Sequence, residues 1–262
     1  MWRVAESVSV ILPAYNEQEN IPVVVARALD VHPTLAERYE VIVVDDGSSD
    51  GTAEVVARLM RDHPGHLRLI RHTVNQGYGA AIRTGFTRAT GDLLFYTDAD
   101  NQFDISELRW FLPVIRHCDV VVGFRVYRYD AVLRSMVSWL YNRIVNVLFR
   151  VRVRDVDCAF KLFRREVIEQ TGIECTDFFV DTELVARARK WNFRIVEKGV
   201  RHYPRLAGET TVQPSDVTRT LKTIVRMWRR IYFPSRGMLE EGAALQRRLD
   251  EAAVEVVLEP AP

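Results

Sequence analysis

Residues Leu93–Phe103 read LLFYTDADNQF, an apolar run that ends on two aspartates one residue apart. Short runs of this composition form buried strands. Asp98 and Asp100 then stand at the mouth of one, where like charges raise each other's pKa and call for compensation. A hard divalent cation supplies it. Mg²⁺ and Mn²⁺ take oxygen ligands, typically a few carboxylates completed by substrate phosphates and water, and Gln102 adds a carbonyl oxygen. Asp98, Asp100 and Gln102 are therefore candidate metal ligands, although a DxD triplet by itself is usually a solvated pair.

Outward from this stretch the same layout repeats. SVSVILPA (Ser7–Ala14), YEVIVVDD (Tyr39–Asp46) and LRLIRH (Leu67–His72) alternate with helix-patterned segments that begin near Ile21, Thr52 and Gly79. Near-continuous Val, Ile and Leu strands separated by helices predict a parallel sheet covered on both faces, hence an α/β, doubly wound domain. Such sheets bind ligands beyond the carboxyl ends of their strands. AYNE follows the first strand, DDGSSDGT the second, NQGYGAA the third and DADNQ the fourth. Asp45–Thr52 suits a turn that caps the next helix. Two acids directly after VIVV exceed what a cap needs, and one could accept the imino N–H of a nucleotide base. NQGYGAA lacks the Lys-Ser/Thr of a P-loop and the full GxGxxG spacing, so it fits a weak phosphate loop and a flexible helix start equally.

Composition narrows the classes. The 262 residues, 48% hydrophobic and 27% charged, suffice for one good-sized core and an appendage. Lys and Arg total 36 against 35 Asp and Glu, so the overall charge gives no reason to expect nucleic acid as a partner. Cys118, Cys158 and Cys175 are odd in number and lack CxxC spacing, which argues against a disulfide framework or a zinc site and for reduced thiols in a cytoplasmic protein. MWRVAESVSV has no basic region followed by a long apolar stretch, so no signal peptide is expected. No segment approaches roughly 18 uninterrupted apolar residues. Any membrane contact is then confined to the surface.

Taken together, VSVILPAYNE, VIVVDDGSSDGT, NQGYGAAIRTGF, GDLLFYTDADNQF, DCAFKLFRREV and HYPRLAGET resemble a family 2 glycosyltransferase of the polyprenyl (dolichyl) phosphate mannosyltransferase or glucosyltransferase type. The similarity runs from about Ser7 to Val212. It implies the GT-A fold, a Rossmann-like, mostly parallel sheet, with residues 1–215 as the catalytic domain and 216–262 as a helical extension. It also implies that Pro13, Tyr15, Glu17, Val44 and Asp46 contact the nucleoside, and that Asp98, Ala99, Asp100 and Gln102 hold Mg²⁺ or Mn²⁺ and the donor diphosphate. Arg125 in VVGFR would serve phosphates, Arg134 and Ser138 in RSMVS the acceptor phosphate, and Arg205 a late loop that closes over the diphosphate. That loop ends GETT, with Thr211 where the family usually has a lysine. The implied donors are of the GDP-mannose or UDP-glucose type.

Chemistry constrains the acceptor. Inverting transfer needs the leaving diphosphate stabilised. A hydroxyl acceptor also needs a general base, for which Asp157 in RDVDCAF and Asp181 or Glu183 in FFVDTEL are candidates. Each could equally be a helix N-terminal charge or a buried partner of a nearby arginine. A phosphate acceptor arrives already ionised and needs no base. From Gly123 to Arg154 there are seven arginines, no lysine and one acid, interleaved with Trp139, Tyr141, Leu148 and Phe149. That pattern suits a phosphate with a lipid tail better than a solvated face, and the sugar-nucleotide motifs outweigh nucleic acid. In DVTRTLKTIVRMWRRIYFP, Leu221, Ile224, Val225, Trp228, Ile231 and Tyr232 form one stripe, flanked by Arg219, Lys222, Arg226, Arg229 and Arg230. Such a helix either lies in a membrane interface or packs on the domain. The last residues predict a short helix with a frayed tail. The expected activity is a metal-dependent, inverting hexosyl transfer to polyprenyl phosphate at the cytoplasmic membrane face. Its alternatives are a soluble hydroxyl acceptor and a non-catalytic sugar-nucleotide binder.

Overall fold

The computed structural model describes residues 4–126, 132–204 and 216–256. Along the chain these form β1 (Val8–Ala14), α1 (Ile21–Leu35), β2 (Tyr39–Asp45), α2 (Thr52–Asp62), β3 (Leu67–His72), α3 (Tyr78–Arg88) and β4 (Leu93–Thr97). A 3₁₀ turn, Ile105–Trp110, leads to α4 (Leu112–Ile115), β5 (Val120–Arg125), α5 (Val132–Phe149), β6 (Phe160–Arg164), α6 (Arg165–Thr171), α7 (Val180–Lys190) and β7 (Ile195–Val200). The chain continues through α8 (Asp216–Tyr232), α9 (Arg236–Ala252) and β8 (Ala253–Val256).

The strands join one sheet in the order β7-β5-β6-β4-β1-β2-β3-β8. β1 to β4 run parallel, as do β5 and β7, while β6 and β8 pair antiparallel with their neighbours. The expected doubly wound, mostly parallel sheet is therefore present. Both faces of β1 and β4 are buried along their whole length, which is why their sequences show no alternation. β1 lies between β2 and β4, so the direction of winding reverses there, and a crevice opens beyond the ends of β1 and β4. β6 runs the other way and brings the residues just before it to the same edge.

Helix faces follow the core. α2 buries Thr52, Ala53, Val56 and Met60, one stripe at helical spacing. α3 is buried from Gly79 to Phe86 because it lies close on β1; a Cβ at Gly85 would overlap Ile11. Aromatic rings fill the space under β4 and β6, with Phe95 and Phe111 edge-on to Phe160 at 4.6 and 5.0 Å.

The last third departs from expectation in two places. α8 buries Thr223, Ile224, Met227 and Ile231, while Val225, expected on the apolar stripe, is 57% exposed beside Lys222, Arg226 and Arg229. One side of this helix packs and the other faces outward with its cations. The tail is not frayed over its described residues: α9 is followed by β8, whose Glu255 accepts from Arg68 Nε at 2.8 Å while Arg68 Nη1 donates to Glu40 at 2.7 Å. Four residues, AVEV, carry no pattern that reveals this pairing; its partner strand does.

Candidate functional site

Three loops beyond β1, β2 and β3 are stitched together by turn chemistry. Asn16, at φ 56°, presents its N–H to Ser48 Oγ at 2.9 Å and accepts from Ser49 N at 2.9 Å. Glu17 N donates to Thr52 Oγ1 at 2.9 Å, and Gly51 N donates to Gln18 Oε1 at 2.9 Å. Asp50 accepts from Thr52 N at 3.0 Å and Gln18 N at 3.2 Å, so it spans the turn and the loop opposite. Pro13 and Val44 sit opposite each other in the β1–β2 register, and Tyr15 stands 45% exposed above them.

The paired aspartates after β2 do separate work. Asp45, fully buried, accepts from Ser48 N at 3.0 Å and faces Arg71 at 3.1 Å. Asp46 accepts from Gln76 N and Gly77 N, both at 2.8 Å, and from His72 Nδ1 at 2.7 Å. His72 Nε2 meets Thr84 Oγ1 at 2.9 Å. Asp46 thereby anchors the NQGYG turn, where Gly77 takes φ 100° and a side chain would strike the Thr176 carbonyl. NQGYGAA is a tightly held helix start.

At the end of β4, Tyr78 Oη donates to Asp98 Oδ1 at 2.7 Å and Asp100 accepts from Gln102 N at 3.1 Å. Gln102 Nε2 donates to the Tyr203 carbonyl at 3.0 Å, and Tyr203 N returns a bond to Gln102 O at 2.8 Å. Burial, reinforced by the Asp100 charge, holds Asp98 at about 8. A bare pair of this kind keeps a proton, and a divalent cation would displace it. Among the described residues no three His, Cys, Asp or Glu side chains converge as a metal site. Two carboxylates that leave the remaining positions to phosphate and water fit Mg²⁺ or Mn²⁺.

The opposite wall is built from buried ion pairs. Arg125, the last residue of β5, forks onto Asp155 with Nε at 2.7 Å and Nη2 at 2.8 Å. Asp181 at the start of α7 accepts from Tyr96 Oη at 2.5 Å and pairs with Lys161. Burial, with the nearby Asp181 and Asp155 charges, pushes Asp157 up to about 7. Glu183 is fully buried, accepts from Cys175 N at 2.8 Å and pairs with Arg187 at 2.7 Å. Of the three base candidates, Glu183 and Asp181 are thus both buried with a cationic partner.

The fold brings Pro13, Tyr15, Glu17, Val44, Asp46, Asp98, Ala99, Asp100 and Gln102 to the ends of β1, β2 and β4, and Arg125, Asp157 and Asp181 to the edge next to them. Ser138 lies half-buried on α5. Arg134 is on the same helix, but its side chain, like Arg205 and Thr211, lies outside the described residues. Sequence reasoning missed Tyr78, Tyr96, Lys161 and Asp155. The available signal was polar residues set inside apolar runs, Tyr96 in LLFYT and Lys161 in CAFKLF.

Comparison with known proteins gives the class. The profile of glycosyl transferase family 2 matches residues 9–172, and the chain belongs to that family. A relative from Yersinia enterocolitica, named undecaprenyl-phosphate 4-deoxy-4-formamido-L-arabinose transferase, is 30% identical over 206 residues, 78% of this chain and 62% of the relative. One of the same name from Yersinia pestis is 33% identical over 63% of this chain and 50% of its own length. The chain thus spans about half to three-fifths of these relatives. Among solved structures, glucosyl-3-phosphoglycerate synthase from Mycobacterium tuberculosis aligns with a TM-score of 0.64 at 18% identity, covering 88% of this chain and 82% of that one. A mannosyltransferase from Pyrobaculum calidifontis, solved with GDP-Man and Mn²⁺, aligns with a TM-score of 0.57 at 20% identity, covering 95% and 76%. These likenesses show the GT-A fold.

Proposed function

We propose that the chain transfers a glycosyl group, with inversion, from a nucleoside diphosphate sugar to a polyprenyl phosphate. The observation that carries the reading is the Asp98–Asp100 pair at the crevice between β1 and β4, held by Tyr78 and kept partly protonated while bare. Asp98, Asp100 and Gln102 would hold Mg²⁺ or Mn²⁺, which when bound neutralises charge on the leaving diphosphate. The Mn²⁺ and GDP-Man bound by the Pyrobaculum calidifontis mannosyltransferase support this donor chemistry. Pro13, Tyr15, Glu17, Val44 and Asp46 would frame the nucleoside, with Ala99 against the diphosphate and Arg205 closing over it. Tyr15 offers an exposed ring for a base, whereas Asp46 acts from behind, by fixing the turn.

The relatives' names support a lipid phosphate acceptor. Arg134 and Ser138 on α5 would receive it, with Arg125 and Asp155 as the wall beside it. The sugar is a hexose such as mannose or glucose, or a modified pentose like that in the relatives' names. Two helix surfaces support work at an anionic bilayer, on its cytoplasmic side. α5 exposes Trp139, Leu140 and Val147 next to Arg143, and a 490 Å³ depression between α8 and α9 is lined by Lys222, Val225, Arg226, Arg229 and Met238. Such cationic, partly apolar faces complement anionic lipid. No helix among the described residues is long and apolar enough to cross a membrane.

Asp157 favours a second reading. A carboxyl at about 7 is suited to take a proton from a hydroxyl acceptor. One experiment separates them: transfer from a panel of nucleotide sugars, with Mn²⁺, to polyprenyl phosphate in anionic vesicles. The wild type should sediment with the vesicles and transfer sugar, Asp100→Asn should lose roughly 10²-fold in turnover, and Asp157→Asn should retain substantial transfer. A wild type that uses no polyprenyl phosphate, or an Asp157→Asn chain as dead as Asp100→Asn, overturns the lipid-phosphate reading.

A further inference from the structure

Lys161 is fully buried in β6 between Phe160 and Leu162. A buried ammonium has to satisfy its three donors, and Lys161 does so in three separate segments. It donates to Tyr96 Oη on β4 at 3.0 Å, to the Cys158 carbonyl before β6 at 2.7 Å, and to the Asp181 carboxylate at the start of α7. Tyr96 closes the circuit by donating to Asp181. Each contact adjoins a candidate site residue: Asp98 follows Tyr96 by two positions, Asp157 precedes Cys158, and Asp181 is itself one. A lysine needed only to neutralise Asp181 would not have to reach all three segments.

We infer that Lys161 is a positioning residue, coupling the metal-binding end of β4 to the acceptor-side carboxylates Asp157 and Asp181 so that the two walls of the crevice keep one spacing. The inference rests on the glycosyl-transfer reading above. Lys161 touches neither the donor diphosphate nor the acceptor in that reading. Its removal leaves the oxygens of Asp98 and Asp100 in place for metal and nucleotide, and loosens the wall the acceptor meets. Displacement of a reacting group by about 1 Å is enough to cost roughly 10²-fold in rate.

Three variants of the full chain test this. Lys161→Met strands a buried carboxylate and can unfold the protein, so Lys161→Met/Asp181→Asn, which removes both charges, is made beside Asp181→Asn alone. Tyr96→Phe keeps both charges and cuts only the link to β4. Mn²⁺-dependent affinity for GDP and UDP is measured by calorimetry, in parallel with turnover. Affinity should stay within about threefold of wild type in every folded variant, while turnover falls about 10²-fold in the double variant and about tenfold in Tyr96→Phe. The double variant should be no slower than Asp181→Asn, because the two residues act as one unit. Turnover within about threefold of wild type in the double variant or Tyr96→Phe overturns the inference, as does an equal loss of nucleotide affinity and turnover, which marks a purely structural lysine. If the wild type releases sugar from a nucleotide sugar but transfers none to polyprenyl phosphate, the acceptor reading fails by itself. The same comparison is then made on Mn²⁺-dependent hydrolysis, where unchanged rates overturn the inference. A wild type inert in both assays overturns both.

Discussion

On the β1–β3 side of the crevice, loop meets loop through short hydrogen bonds between side chains and backbone N–H groups, such as Asn16 with Ser48 and Ser49 and Asp46 with Gln76 and Gly77. On the β5–α7 side the same task falls to buried ion pairs, Arg125 with Asp155 and Lys161 with Asp181. Apart from the Asp45–Arg71 and Asp46–His72 pairs at its base, the first arrangement distributes its cost over many small contacts, each worth about 1 kcal/mol. The second concentrates it, because a buried charge that loses its partner is expensive. Where Asn16, Ser48 and Ser49 meet, one change removes one small contact, whereas at Arg125 or Lys161 it strands a buried charge.

The largest test of that contrast is Asp155→Ala, which leaves the Arg125 guanidinium without its forked partner. Unfolding in urea should show a loss of about 3 kcal/mol; an unchanged midpoint would break the comparison. Next comes the pH dependence of Asp157. Its carboxyl is held at about 7 in the folded chain, above its ordinary value of 3.8, so the folded state binds more protons than the unfolded one between those values. Stability from this group is full below the unfolded pKa and is lost as pH rises through 7. The shift carries about 4 kcal/mol between pH 4 and pH 8, and because the side chain is only partly buried solvent screens about half of it, so Asp157→Asn should gain on wild type by about 2 kcal/mol at pH 8 relative to pH 4, read from urea midpoints at the two pH values, with the Asp98 contribution common to both chains. A pH-independent difference would show Asp157 to be solvated like an ordinary carboxylate. The smallest effect belongs to the other wall. Ser48→Ala removes the side-chain acceptor of the Asn16 N–H and should cost about 1 kcal/mol, and a loss as large as that of Asp155→Ala would erase the distinction between the walls.

The same contrast decides what is legible in the sequence. The strand and turn layout follows local chemistry: continuous apolar runs give β1 to β4, and Asn, Asp, Gly and Ser after them give the loops. DADNQ stands out because two acids after a buried strand conflict with their surroundings. The β5–α7 side has no such local signature. Lys161 finds its partners 65 and 20 residues away, and Arg125 finds Asp155 30 residues on. Glu183 reads as a candidate base because an acid in a helical first turn says nothing about Arg187 and two backbone N–H groups that enclose it. β8 is hidden for the same reason as Lys161: its meaning lies in a distant strand. The sequence presents packing and interface as alternatives for α8, and the helix packs one side while its cationic side stays exposed.

That distant strand has a consequence for biosynthesis. β8 pairs with β3 in the register Leu69↔Val256 to His72↔Ala253, so the outer edge of β3 is made roughly 180 residues before the segment that covers it. At about 5 to 20 residues per second, translation leaves that edge open for roughly 10 to 40 seconds. An open edge is a template for a neighbouring nascent chain. LRLIRH carries its own guard, because Arg68 and Arg71 put charge on it throughout the wait. Glu40 and Asp45 on β2 pair with Arg68 and Arg71, and β8 adds Glu255 to Arg68. The two arginines thus put charge on an edge that stays open until β8 is made, and in the finished sheet Arg68 clasps β2 and β8 together.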